Sequence, residues 1–359
     1  MVDVERHVHA YEQGRPRYEV FEHKLADLLS ELLDRTTVKL HVIEHRTKTP
    51  ESFREKITRP GKSYSDPMED LHDLVGLRAI VYYTDDVPKI EALIEKEFQV
   101  YRDESSDRSA LYKPNEFGYL SVHYIVSLAP SRAVLAEWNP YSEMKVEIQV
   151  RTVLQHAWAV ISHALQYKRE ADVPDELKRK LFRVAGVFEL VDEQFVEIKR
   201  QHLLIERRVA LELDSFKKDI PMDTVSLTEF IKRSEHLSEI ARFASTIGFQ
   251  VQAEESRLRD STSDVVEECA RLKLHTVDQI TERLVALGDG YREFLKAAMG
   301  YSHPWVVDRP FLLHLVIIRI FKDDFTLKHM VSKGWDVMFA KKVLEAAGAS
   351  PLSFAFPKP

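Results

Sequence analysis

The chain of 359 residues is 44% hydrophobic and 30% charged, with a formal net charge of -7; that is enough apolar material for at least one large core and room for two domains. A single cysteine, Cys269, excludes an internal disulfide and any multi-cysteine zinc site, and no apolar run approaches membrane-spanning length. The start MVDVERHVHAYEQG lacks the apolar centre of a signal peptide, so the expectation is a cytoplasmic protein with no membrane partner. Net acidity argues against a chain that coats nucleic acid, yet residues 35–62 hold eight Lys or Arg against three Glu. An acidic protein with one basic segment suits a compact, highly charged anion there.

In chain order, residues 1–17 read as a lead and 18–34, YEVFEHKLADLLSELLD, show helical periodicity. TTVKLHVIEHRTK alternates and reads as a strand, and a helix restarts at Pro50 through ESFREKI. GKSYSDP is loop, LVGLRAIVYYT a buried strand, VPKIEALIEKEF a helix, and GYLSVHYIVSL and MKVEIQV two more strands. In VEIQVRT, residues 146–152, Glu147, Gln149 and Arg151 share one strand face; the period then changes at once to the helix TVLQHAWAVISHALQYK. Two further helices are expected between about 174 and 208. The pattern shifts near KKDIPMDTV, and SLTEF, with Ser226 three residues before Glu229, reads as a capping box. Beyond it nearly everything reads as helix. The expected organisation is an α/β (α+β) mixed sheet with flanking helices over 18–215 and a helical domain over 226–359, regulatory or oligomerising.

Three stretches carry chemistry. HRTKTPESFREKI sets Arg46, Lys48, Ser52 and Lys56 at the spacing R-x-K-x-x-x-S-x-x-x-K, which lets cations and a hydroxyl converge at a helix N-terminus to meet polyphosphate; alone, it reads more readily as a solvated basic surface. In EDLHDLVGLRAIVYY, Asp73 precedes a strand opening with Gly76 and Arg78. With Glu147 on another strand it makes a carboxylate pair able to hold Mg²⁺ against phosphate oxygens, although a lone carboxylate there is more often a cap. The His72-Asp73 dipeptide also invites a phosphohydrolase reading, against which no second histidine stands at metal spacing. In LYKPNEFGYLSVHYIVSL, Gly118 frees the backbone before Tyr119, whose ring could stack on a base, while Ser121 and His123 follow on one strand face.

Taken together, RTKTPESFREK, DLVGLR, GYLSVH and VEIQVRT followed by AWAVISHALQYK resemble the synthetase domain of the RelA/SpoT family of alarmone synthetases, over about residues 18–205. The ending is more similar to the small members than to the long bifunctional ones. The resemblance implies a nucleotidyltransferase-like fold and transfer of the β,γ-pyrophosphate of ATP to the 3′-hydroxyl of GDP or GTP, with Mg²⁺ as cofactor. It implies Arg46 and Arg78 around adenine, Lys48, Ser52 and Lys56 on the ATP phosphates, Asp73 on the metal, and Glu147 on the metal or as the base. Tyr119 would stack on the acceptor base, with His123, Gln149 and Arg151 lining the acceptor side.

The family's acceptor loop usually reads NGYRS; here it reads FGYLS, with Phe117 and Leu120 in place of polar and basic residues. That leaves a second acceptor open, because some small members modify the 3′ end of tRNA. Lys168, Arg169, Lys178, Arg179, Lys180 and Arg183 would then form a basic track for it, or else a solvated helix face. Trp158 and Ile161 are expected in the core, and His156 and His163, on one helical face, are expected to satisfy buried polar groups rather than touch phosphates. In the helical half, Cys269, His275, His303 and His314 show no ligand spacing. Homo-oligomerisation is left open.

Overall fold

The computed structural model describes residues 3–107, 122–164, 174–252, 255–299 and 305–349. The chain divides into two compact units, Met1–Lys199 and Arg200–Pro359. The first is built on a mixed sheet of β1 (Leu40–Thr47), β2 (Val75–Val81), β3 (Phe98–Val100), β4 (Ser106–Asp107), β5 (Val122–Leu128) and β6 (Val146–Thr152). Its order is β1-β2-β6-β5-β3, with β4 also paired to β5. Among the described residues of this sheet, β2 and β6 pair in parallel and the other pairs are antiparallel.

One face of this sheet is closed by α1 (Val4–Asp34) and, beyond α2 (Pro50–Ile57) and the short α3 (Pro67–Asp70), by α4 (Val87–Glu97). Phe21, Leu25 and Leu29 from α1 and Ile90 and Ile94 from α4 pack with Leu77, Ala79, Ile148 and Val150 of the central strands, all fully buried. Each such large apolar side chain contributes about 1.5–3 kcal/mol. Alternation then sends Arg78, Glu147 and Gln149 to the opposite face.

Residues 4–17 are not a lead: α1 begins at Val4, where the Asp3 side chain accepts from the backbone of Arg6. The helix runs on through Pro16 because Val8 and Tyr11 are buried with Phe53, Ile57, Leu71 and Leu74 in a second cluster. After α5 (Pro130–Ala133) and β6, α6 (Val153–Ala164) follows without a loop. Thr152 ends the strand and caps the helix, accepting from Gln155 N at 3.1 Å while Gln155 Oε1 accepts from Thr152 N at 2.8 Å. The two helices expected after 174 are one, α7 (Asp175–Asp214), because nothing in its apolar periodicity interrupts it.

The second unit comprises α8 (Thr224–Arg233), α9 (Glu235–Thr246), α10 (Glu255–Arg271), α11 (Val277–Leu287), α12 (Tyr291–Met299), α13 (Arg309–Ile320), α14 (Leu327–Ser332) and α15 (Val337–Ala347). They share one core that includes Leu227, Ile240, Leu295, Leu313 and Val343. Two short parallel strands, β7 (Phe249–Val251) and β8 (Trp305–Val307), join this helical unit. The capping box sits three residues earlier than expected: Asp223 caps α8 and Ser226 is its third residue, donating back and receiving in turn. No helix among the described residues is long and apolar enough to cross a membrane.

Candidate active site

Strand register assembles the site. Arg46 of β1 lies opposite Gly76 of β2, which lies opposite Glu147 of β6; Glu44 lies opposite Arg78, Arg78 opposite Gln149, and Gln149 opposite His123 of β5. Registered residues point to the same face, so two polar rows cross the sheet on the side away from α1. The rows are hydrogen-bonded side chain to side chain. Arg78 donates from Nη1 to Glu44 Oε2 at 3.1 Å and from Nε to Gln149 Oε1 at 3.2 Å. Gln149 donates to Glu147 Oε2 at 2.8 Å, His123 Nδ1 lies 2.8 Å from Glu147 Oε1, and Arg151 donates to Gln149. A cleft of about 400 Å³ opens over these rows, lined by Glu44, Arg46, Asp73, Arg78, Glu147 and Gln149 among others.

The basic motif closes one end of the cleft. Lys48 N donates to Leu74 O at 2.8 Å, which draws the end of β1 against the segment carrying Asp73. The buried Tyr11 hydroxyl donates to Lys48 O at 2.7 Å, and the Tyr11 ring stacks on Phe53 of α2. Anchored by Phe53 and Ile57 and capped by Thr49, α2 turns Ser52 and Lys56 outward. Lys48 and Lys56 then both donate to Asp73 Oδ2, at 3.0 and 2.8 Å. Burial would raise the Asp73 carboxyl, but the two ammonium groups outweigh it and hold the group below its ordinary value. Burial likewise works against ionised Glu147, and the bonds from His123 and Gln149 override it, while the charge of Asp73 pushes back weakly. Both carboxylates are therefore ionised near neutral pH, at the edge of a cluster of cations.

Asp73 Oδ1 is buried and has no hydrogen-bond partner, an oxygen that suits a divalent cation. Among the described residues no group of three or more His, Cys, Asp or Glu could hold a metal. Asp73 and the nearby Glu147 are a donor set that fits Mg²⁺, which binds through one or two carboxylates together with substrate phosphates.

Of the residues expected from sequence, Arg46, Lys48, Ser52, Lys56, Asp73, Arg78, His123, Glu147 and Gln149 fall on these rows or at the cleft's basic end, while Arg151 is buried opposite Ile80 and reaches them through Gln149. Tyr119, with Phe117, Gly118, Leu120 and Ser121, lies outside the described residues, as do Lys168, Arg169 and the side chains of His163 and Lys178. His156 does not satisfy a buried group: its Nε2 lies 3.6 Å from Glu44 Oε1 and its buried Nδ1 has no partner. Ile161 is half exposed and Trp158 only partly buried, in an edge-on contact with Phe188 of α7, so neither belongs to the buried core. His72 pairs with Glu104 at 3.1 Å, apart from Asp73's lysine partners. Sequence reading missed Glu44, although it stands two residues before Arg46 on an alternating strand and so had to share its face.

A face of paired cations and carboxylates, an open cleft and a buried carboxylate oxygen with no hydrogen-bond partner are features that suit a phosphorylated ligand. The model of the region found in RelA/SpoT proteins matches residues 45–172. The GTP pyrophosphokinase YjbM of Bacillus subtilis (strain 168) is 30% identical over 162 residues, which cover 45% of this chain and 72% of that protein. YwaC of the same organism, also a GTP pyrophosphokinase, is 29% identical over 164 residues, covering 44% and 75%. Among solved structures, a GTP pyrophosphokinase family protein from Streptococcus pneumoniae aligns at 27% identity and TM-score 0.42, over 56% of this chain and 95% of that one. The chain belongs to the RelA/SpoT family.

Proposed function

We propose that the protein is an ATP-dependent pyrophosphotransferase that moves the β,γ-pyrophosphate of ATP to the 3′-hydroxyl of GDP or GTP, producing (p)ppGpp. The observation that carries this reading is one cleft lined by both Asp73, held by Lys48 and Lys56, and Glu147, held by His123 and Gln149. The relatives' activity supports the same chemistry.

In this reading Lys48, Lys56 and Ser52 exchange their present partners for the donor phosphates, and Arg46 and Arg78 hold the donor base. Asp73 and Glu147 would hold Mg²⁺, which when bound neutralises charge on the phosphate oxygens. The acceptor's 3′-oxygen bonds to the β-phosphorus, and the bond to the oxygen bridging the α- and β-phosphorus breaks. AMP leaves with that electron pair, and the hydroxyl proton passes to Glu147. His123 and Gln149 orient the Glu147 carboxylate, while Arg151 holds Gln149. Tyr119 stacks on the acceptor base. Such a transfer depends mainly on positioning and on charge stabilisation, which this set of side chains supplies.

The test is to incubate the full chain and Mg²⁺ with γ-labelled ATP and, in separate reactions, GDP, GTP and bulk tRNA. Label is expected in guanosine tetra- and pentaphosphate. Label in tRNA alone, or in no acceptor, overturns the proposal.

A further inference from the structure

We propose that Glu44 is a specificity-determining residue of this cleft, accepting a hydrogen bond from the exocyclic amine of a base held between Arg46 and Arg78. The inference rests on the pyrophosphotransferase reading for the identity of the donor: with ATP, the amine is that at position six of adenine.

The slot for a flat ring is visible in the register. Arg46 and Arg78 project from the same face of neighbouring strands, and the residue opposite Arg46 is Gly76. A Cβ at position 76 would meet nothing nearer than Glu147 O at 4.0 Å, so the glycine leaves an open floor between the two guanidinium groups. Arg78 is tied at both ends, through Nη1 to Glu44 and through Nε to Gln149. Its plane is thereby fixed and its face left available, and a guanidinium face stacks well on a nucleobase. Arg46 is exposed on the edge strand and can close from the other side.

Glu44 stands at the rim of this slot with its side chain 41% exposed. Its Oε2 accepts from Arg78; its Oε1 faces His156 Nε2 at 3.6 Å, too long for a hydrogen bond. Burial, the main influence on His156, keeps the imidazole below its ordinary pKa, so no cation competes for Oε1 at neutral pH. A carboxylate paired with a guanidinium is an acceptor only. Oε1 can therefore take an amine proton from a ring stacked on Arg78 while Oε2 keeps that arginine in place.

The test measures affinity, by calorimetry on the full chain with saturating Mg²⁺, for ATP and for purine riboside triphosphate, which lacks the amine. Wild type, Glu44→Gln and Glu44→Ala are compared after circular dichroism shows all three folded. Wild type is expected to prefer ATP by about ten- to a hundredfold, the range of one hydrogen bond to a charged acceptor. Glu44→Gln keeps one acceptor and should show a reduced preference; Glu44→Ala should show none. A preference for ATP that is the same in all three proteins, even if both affinities fall together, means Glu44 only orders Arg78 and overturns the proposal. Equal binding of the two nucleotides by wild type overturns it as well. A wild type that shows the preference yet transfers pyrophosphate to no guanine nucleotide refutes the transferase reading and leaves the base reading standing.

Discussion

In the sheet unit, Glu44, Arg78, Gln149, Glu147 and His123 form a continuous polar chain across a partly open face. In the helical unit the comparable cluster closes on itself. Glu268, 3% exposed, receives Arg271 Nε at 2.5 Å and lies 3.0 Å from His329 Nε2, with both carboxylate oxygens matched. His314 beside it is packed against Trp335 and Phe325. The difference separates a site from a brace. A buried charge whose partners all come from the fold organises packing. The sheet unit instead keeps a buried Asp73 oxygen with no hydrogen-bond partner and an exposed Arg46 opposite Gly76, on the face that the cleft opens over.

The comparison breaks most sharply at the two carboxylates. Asp73→Asn and Glu147→Gln each remove charge with little change in volume, and transfer from γ-labelled ATP is expected to fall by on the order of 10²-fold or more. Circular dichroism should be unchanged. Near wild-type turnover at saturating Mg²⁺ in either variant would show that the carboxylate is a brace like Glu268. The next effect separates the two ends of the cleft. Arg46→Ala should weaken ATP binding and Tyr119→Ala should weaken acceptor use, each by about 1–3 kcal/mol for a lost stacking contact. Equal loss of ATP affinity in both variants would erase the division into donor and acceptor ends.

The shared faces of the long strands were more legible in the sequence than the short elements around them, for a physical reason. Strand alternation has a period of two, so VEIQVRT and HRTKT declare which side chains share a face before any pairing is known. Register then brings together Arg46, Gly76 and Glu147, and only the structure supplies it. Gly14 and Pro16 disguised the first turns of α1, whose continuity comes from the tertiary burial of Val8 and Tyr11. The strands β3 and β4 have three and two residues, too few to show a period. At α8 the motif S-x-x-E was present, but Asp223 offered a better cap three residues upstream.

A smaller effect is expected where the charge is only structural. Glu268→Gln should lower stability by about 1–3 kcal/mol, the cost of leaving buried partners unsatisfied, with pyrophosphate transfer by the folded protein unchanged. Denaturant titration measures the first and the labelled-ATP assay the second. Burial acts against the Glu268 carboxylate, but His329 and Arg271 hold its pKa below the ordinary 4.5. Its contribution is therefore complete above that value and disappears as pH falls through the lower folded-state value. The stability gap between wild type and Glu268→Gln should accordingly narrow below pH 4.5. A gap that widens on acidification would show that the Glu268 carboxylate does not govern the cluster.

The smallest expected change comes from removing the helical unit altogether. Every residue given a role in the cleft lies between Glu44 and Arg151, and its support, from Tyr11 beneath Lys48 to Asp192 accepting from Thr152, lies within the first compact unit. A chain ended at Lys218 retains α7 to its last residue, Asp214, and forfeits a core made mainly by α8 to α15, against which Leu213 of α7 also packs. It should remain soluble and transfer pyrophosphate at least as fast as the full chain. If the helical unit restrains the synthetase, that restraint must come from a preference for one state of the site, so removing the unit raises the basal rate. Greater toxicity to bacteria expressing the shortened chain would accompany such a rise. A shortened protein that is folded by circular dichroism yet inactive would show that the helical unit completes the site.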